Sequence, residues 1–286
     1  MLPKFEYYSP RTLDEALELL SKYGADAKVF AGGTDLFVLM RDRVIKPKAL
    51  IDLKRIPELS RIEYGEGEGM TIGATVTLNA LLENVDLKNN YYVLWDAIHQ
   101  MGDQILRNRM TLVGNICNAS PAADSAPPLL VLEAFIEAVS KEGKRRIPIK
   151  DFFLGVKKTV LKPNEIVTSI HIPKESAGGK GRYVKAMRVW SEDLAVVGVA
   201  ALALKKGEEL DIRLAYASVA PTPVRAYDAE KVFKKKAPID KLIDEASELA
   251  VKAVSPITDV RGGAEYRKHL VKVLTKRALR EVIGGE

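Results

Sequence analysis

Lys28-Val29-Phe30-Ala31-Gly32-Gly33-Thr34-Asp35-Leu36 is the stretch whose reading decides the fold. A short apolar strand runs into two glycines, then a hydroxyl, a carboxylate and a return to apolar character. Glycine reaches φ > 0 without a Cβ penalty, so successive N–H groups can turn into one concavity and hold an anion. A second stretch of the same kind is Thr111-Leu112-Val113-Gly114-Asn115-Ile116, followed by Asn118-Ala119-Ser120-Pro121-Ala122-Ala123-Asp124. It too reads as a glycine turn closing an apolar strand. Taken alone, Gly32-Gly33 is a plain strand-to-helix turn. Two such turns predict backbone donors gathered around a phosphate-bearing ligand. Neither carries G-x-G-x-x-G, and no Lys-Ser or Lys-Thr follows a glycine loop, which disfavours Rossmann and P-loop readings.

Working outward, the first turn sits in a β-α-β pattern. Thr12-x-x-Glu15 is a capping box, with Leu13, Ala16, Leu17 and Leu20 at helical spacing. Strands are predicted at 27–30 and 49–53, giving a small α/β unit over 1–55. A second unit over 56–175 has strands at 70–74, 135–140, 145–149 and 165–172 and helical candidates at 78–83 and 91–101. Leu129 to Ala134 is apolar and reads equally as helix or strand. Glu175 to Gly181 reads as the linker. A third unit, 180–286, opens with strands at 194–204 and 210–219, joined by a hairpin turn at 205–209. Helical stretches follow at 224–233, 239–254 and 264–282.

The chain has 286 residues, 47% hydrophobic and 29% charged, the composition of a globular protein with room for two or three cores. No apolar run approaches the roughly 18 residues that span a bilayer, and Met1-Leu2-Pro3-Lys4-Phe5 has no secretory h-region, so a cytoplasmic location is expected. The net charge is +6. Basic and acidic residues alternate, and the densest basic run, Lys231 to Lys236, reads as a solvated helix end, which argues against nucleic-acid binding. Cys117 is the one cysteine. It excludes an internal disulfide and an iron–sulfur cluster held by this chain, which needs about four thiolates. It reads as a small buried residue.

His99, His171 and His269 show no metal-ligand spacing and read as structural. No G-x-S-x-G or other nucleophile motif occurs, and no acid/base pair stands out. No catalytic side chain is expected, as for a protein whose chemistry belongs to a bound cofactor. Asp124 suits a helix cap or a hydroxyl acceptor. Val167 reads as strand core, and Lys185 as a solvated strand lysine.

The two turns resemble the diphosphate-binding segments, roughly A-G-G-x-[SD]-L and T-[IL]-G-G-N, of the FAD-binding medium subunits of molybdenum hydroxylases. That is the carbon monoxide dehydrogenase, xanthine dehydrogenase and 4-hydroxybenzoyl-CoA reductase group. Ala31 to Leu36 fits the first pattern; Thr111 to Asn115 fits the second, with Val113 in place of its first glycine. The likeness extends through Phe5 to Pro10, Lys158 to Val167, Tyr183 to Ala195 and Asp259 to Arg267, in the family's order. The cysteines that hold an extra cluster in some reductase-type relatives are missing.

The resemblance implies an α+β fold: a two-part FAD-binding domain of the vanillyl-alcohol-oxidase type, then a C-terminal domain of antiparallel sheet and helices. It implies FAD held by Phe30, Ala31, Gly32, Gly33, Thr34, Asp35, Leu36, Thr111, Gly114, Asn115 and Ala119. Asp124 would take ribityl or ribose hydroxyls, Val167 would press on the flavin ring, and Lys185 would lie near its N1–O2 edge. The implied partners are a molybdopterin-binding large subunit and a small subunit with [2Fe–2S] clusters. The implied role is electron transfer from those clusters to NAD, a quinone or oxygen. Two alternatives are a self-contained flavin oxidase or reductase of the same fold and a binding protein that uses the fold without flavin.

Overall fold

The computed structural model describes residues 2–189, 193–207 and 209–284. Three units of strand and helix follow one another, each built on its own sheet. In the first, strands β1 (Glu6–Tyr8), β2 (Ala27–Phe30) and β3 (Ala49–Asp52) form a parallel sheet in the order β1-β3-β2. Helix α1 (Leu13–Tyr23) starts where the Thr12 hydroxyl accepts the Glu15 N–H and buries Ala16, Leu17 and Leu20, the stripe its spacing predicts. Helix α2 (Leu36–Arg41) follows the first glycine turn and packs Met40 with Phe30 and Leu50.

The second unit is a five-stranded antiparallel sheet. Its strands are β4 (Ile62–Gly65), β5 (Gly69–Gly73), β6 (Phe135–Ser140), β7 (Gly143–Pro148) and, after a small hairpin of β8 (Phe153–Gly155) and β9 (Lys158–Thr159), β10 (Ile166–Pro173). Helices lie between β5 and β6: α3 (Leu78–Glu83), α4 (Val85–Asn90), α5 (Tyr92–His99), α6 (Gln104–Arg107), α7 (Leu112–Cys117) and α8 (Ala126–Val131). The apolar stretch that begins at Leu129 is therefore the end of a helix, opened by Pro127 and Pro128 in its first turn.

The second glycine segment departs from the strand reading. Thr111 makes only an isolated bridge to Thr77, and its hydroxyl accepts the Gly114 N–H at 3.0 Å to cap α7. Leu112, Val113 and Ile116 are buried on one face of that helix. A cap and an i, i+1, i+4 apolar set outweigh the β-propensity of a short Thr-Leu-Val run.

The third unit is an antiparallel sheet of β11 (Lys180–Ala186), β12 (Val197–Lys206), β13 (Glu209–Ala217) and β14 (Val224–Arg225). Glu208 of the expected hairpin turn, and Gly285 and Glu286 at the chain end, lie outside the described residues. The helical stretch expected from Val224 begins only at α9 (Tyr227–Lys231). Val224 and Arg225 pair instead with Tyr216 and Ala215, and the Arg225 side chain is held between Glu133 and Glu230, each at 2.7 Å. Helices α10 (Ile239–Lys252) and α11 (Ala264–Ile283) cover one face of this sheet. Along β12, Val197, Val199, Ala201 and Ala203 face those helices, while Ala200, Leu202 and Leu204 join the core of the second unit. This period-2 alternation makes the third sheet the shared wall between two cores. The glycine-rich 175–181 stretch is packed, not loose. Ser176 is buried and bonds the Leu132 carbonyl, and a Cβ on Gly181 would come within 2.6 Å of Val93.

Candidate functional site

The two glycine segments meet. A Cβ on Gly32 would stand 1.8 Å from the carbonyl oxygen of Arg109, two residues before Thr111. The first turn therefore rests directly on the main chain that leads into α7, and only glycine permits that approach. Gly33 takes φ +74°, and a Cβ there would also meet the Phe37 ring at 2.4 Å. Phe30, at the end of β2, packs edge-on against Phe37 with centroids 5.4 Å apart. The N–H groups of Gly32, Gly33, Thr34 and Asp35 find no acceptor among the described residues. These residues are part-buried or exposed, so their donors are open to water or to a ligand. Phe37 and Leu39 donate back to the Gly33 and Asp35 carbonyls at 3.0 and 3.1 Å, which turns the chain into α2 and presents Leu36 on its first turn.

The second segment is pinned from several sides. Asn115 Oδ1 accepts the Ser125 hydroxyl at 2.6 Å. Asn118 Oδ1 accepts Lys157 Nζ at 2.8 Å, and the Ala119 carbonyl accepts the Lys157 N–H at 2.9 Å. Ala119 and Lys157 both occupy the left-handed region, with φ +47° and +58°, conformations that cost side-chain-bearing residues energy and persist where surroundings impose them. Lys157 Nζ also lies 4.0 Å from Asp35 Oδ1. One lysine thus reaches both segments, and no feature of the sequence marks it.

Asp124 and Lys185 form a buried pair. Lys185 Nζ donates to Asp124 Oδ2 at 2.9 Å and to the Gln100 carbonyl at 3.3 Å. Tyr183 donates its hydroxyl to Asp124 Oδ1 at 2.6 Å. Gly198 makes room for that ring, since a Cβ would meet the Tyr183 hydroxyl at 2.2 Å. Burial pushes the Asp124 carboxyl up, opposed by the Lys185 ammonium and the Tyr183 hydroxyl. Burial and the Asp124 charge push the Tyr183 phenol well up. Asp124 caps no helix: Ser125 precedes α8 and makes no side-chain cap. Lys185, expected as a solvated lysine when read alone, has only 1% of its side chain exposed.

Val167 lies in β10 opposite Ala138, buried in the main core at the bulge between Val167 and Ser169. Helix α7 packs on that strand. His171 Nδ1 lies 3.1 Å from Thr71 Oγ1, and His99 stacks on Trp95. Cys117 packs part-buried against the core, and burial pushes its thiol up to about 12. Among the described residues no group of three His, Cys, Asp or Glu side chains could hold a metal. No described helix is long and apolar enough to cross a membrane.

This surface fits a dinucleotide. It offers free main-chain N–H groups at a turn that a Cβ would fill, a second capped segment in contact with it, and a cation, Lys157, between the two. Main-chain N–H groups and a lysine ammonium are donors suited to a diphosphate.

Known proteins resemble this chain along nearly its whole length. Residues 3–175 match the FAD binding domain in molybdopterin dehydrogenase, and residues 182–282 match the CO dehydrogenase flavoprotein C-terminal domain. The carbon monoxide dehydrogenase medium chain of Hydrogenophaga pseudoflava is 34% identical over 278 residues, covering 97% of this chain and 96% of that one. The glyceraldehyde dehydrogenase medium chain of Sulfolobus acidocaldarius is 36% identical over 283 residues, covering 98% and 99%. The solved carbon monoxide dehydrogenase of Hydrogenophaga pseudoflava superposes with a TM-score of 0.94 at 34% identity, over 99% of both chains. Quinoline 2-oxidoreductase from Pseudomonas putida 86 superposes with a TM-score of 0.92 at 26% identity.

Proposed function

This chain belongs to the FAD-binding medium subunits of the molybdenum hydroxylases, and from that premise we propose how it holds its cofactor and what it does in its complex. It is an oxidoreductase flavoprotein subunit, and its cofactor is FAD. The proposed clamp is the pair of glycine segments. The first is Phe30 to Leu36, with the N–H groups of Gly32 to Asp35 turned to the diphosphate. The second is Thr111, Gly114 and Asn115, extended by Ala119. Gly114 acts through the Thr111 cap that aims the first turn of α7. The observation that supports this most is the seating of Gly32 on the Arg109 carbonyl, which joins the two segments.

Asp124 would accept ribityl or ribose hydroxyls on its remaining lone pairs. Val167 would bring apolar surface to the flavin ring, and Lys185 would place a cation near its N1–O2 edge. Bound FAD supplies exchange between one-electron and two-electron carriers. The residues of this chain orient it, exclude water from its inner side and set the local charge.

Relatives are named the medium chain of carbon monoxide dehydrogenase and the medium subunit of nicotine 6-hydroxylase, names that imply companion subunits. For this chain we propose a large partner that holds molybdenum with a molybdopterin cofactor and a small partner that holds two [2Fe–2S] clusters. The chain would receive electrons from those clusters and deliver them to NAD, a quinone or oxygen, in the cytoplasm.

The test is to offer organic substrates to the isolated, FAD-loaded chain and record its flavin spectrum. The flavin is expected to stay oxidised until both partners are added. Reduction of the isolated chain by an organic substrate would favour a self-contained flavin oxidase instead.

A further inference from the structure

Lys54 lies in the turn after β3, far in sequence from either glycine segment, yet it touches the first one. Its Nζ donates to the Ala31 carbonyl at 3.0 Å and to both oxygens of Asp52 at 2.7 Å. The same ammonium lies 4.4 Å from the centroid of the Phe30 ring. Asp52 is buried and takes a further hydrogen bond from Tyr7 at 2.7 Å, which fixes the anchor to the neighbouring strand β1. The three N–H bonds of the ammonium are thus matched by three protein acceptors. Lys54 has little left to offer a ligand directly.

We propose that Lys54 is a positioning residue for the dinucleotide, acting through the Ala31–Gly32 peptide; the proposal rests on the FAD-clamp reading above. A trans peptide is planar, and its C=O and N–H point in opposite directions. Holding the Ala31 carbonyl on the Lys54 side therefore turns the Gly32 N–H to the other side, where it has no acceptor among the described residues. The following residue is held from elsewhere, because Gly32 rests on the Arg109 carbonyl. The peptide is gripped at both ends, so its N–H is set before the diphosphate arrives. Ordering it beforehand removes a cost that binding would otherwise carry. An ordinary surface lysine would be worth little here. This one is tied to a buried carboxylate and to the turn itself.

The experiment compares full-length wild type, Lys54→Met, Lys54→Arg and the double variant Lys54→Met/Asp52→Asn as apoproteins. FAD dissociation constants come from fluorescence titration at low and high salt, and thermal melting is recorded without FAD. The double variant matters because Lys54→Met alone leaves Asp52 buried and unpaired, and the fold could suffer for that reason. The double variant is expected to melt like wild type and to bind FAD about tenfold more weakly or worse, the scale of one well-placed hydrogen bond. The loss should be equal at both salt concentrations, and Lys54→Arg should restore most of it. A folded double variant with wild-type affinity would overturn the proposal. A loss that shrinks with added salt would overturn it too, since that marks direct phosphate contact. Failure of the wild type to bind FAD would instead overturn the clamp reading itself.

Discussion

Lys185 and Asp124 face each other across the joint between the second unit and the C-terminal sheet, Nζ 2.9 Å from Oδ2, with 1% and 7% of their side chains exposed. Tyr183 completes the group through the other carboxylate oxygen. A charge pair sealed this deeply is costly to break from one side, because the survivor stays buried and uncompensated.

Lys185→Met is therefore expected to destabilise the apoprotein by about 3–5 kcal/mol. Lys185→Met/Asp124→Asn should regain much of that loss. In the FAD-loaded protein, Lys185→Met should also lower the flavin reduction potential, because a cation near the ring favours its reduced, anionic form. Chemical denaturation and a redox titration check the two halves separately. An unchanged potential would remove Lys185 from the flavin's surroundings.

The glycine segments predict a graded series. In Gly32→Ala the new methyl would collide with the Arg109 main chain, which has no flexible end to move aside. FAD affinity should fall by at least about a hundredfold, on the scale of one strained, displaced segment. In Gly114→Ala the methyl would meet only the Thr111 hydroxyl, at 2.8 Å, so a smaller loss is expected. Equilibrium titration with FAD ranks the two. Equal, mild effects would contradict the close approach.

How far could the residues alone have led here? The first turn was legible because Gly32 and Gly33 are a local stereochemical demand, and such demands survive any tertiary context. The run Thr111-Leu112-Val113 suggests a strand by its β-propensity, while the cap that makes it the start of a helix depends on the Thr111 hydroxyl reaching Gly114. The helix expected from Val224 lost its first residues to pairing with β13, a contact no local pattern announces. Lys54 and Lys157 were invisible for the same reason. Each matters through a carbonyl or carboxylate that the fold, not the sequence, brings within reach. The burial of Lys185 depends likewise on Asp124 and Gln100, both distant along the chain.

Acid should weaken the fold through particular carboxyls. Burial pushes the Asp52 carboxyl up, but its bonds from Lys54 and Tyr7 outweigh this and leave it below its ordinary value of 3.8. The Arg145 guanidinium, at 2.7 and 2.9 Å, holds Glu165 below its ordinary 4.5. A carboxyl depressed by folding stabilises at any pH above its unfolded value, and that contribution is lost as pH falls through the folded value. Stability is thus expected to be level in these terms above about pH 4.5 and to decline below it. Arg145→Met should flatten the part of the decline that belongs to Glu165. Melting temperatures across an acid series check this, and an identical acid profile in the variant would refute it.

Cys117 should be inert in the folded chain. With its thiol pushed up to about 12 by burial, almost none is thiolate near neutrality, and the thiolate is the reactive form. Alkylation by iodoacetamide at neutral pH is expected to be slow in the native protein and fast after denaturation. Rapid native labelling would show that the second segment opens readily.

The proposed FAD clamp is the pair of glycine segments joined where Gly32 rests on the Arg109 carbonyl. Its most direct test is the absorbance spectrum of the purified full-length chain after incubation with FAD and desalting, beside Gly32→Ala treated identically. Retained bands near about 370 and 450 nm, those of oxidised flavin, are expected in the wild type and should be lost in the variant. A folded wild type that emerges colourless would contradict the account.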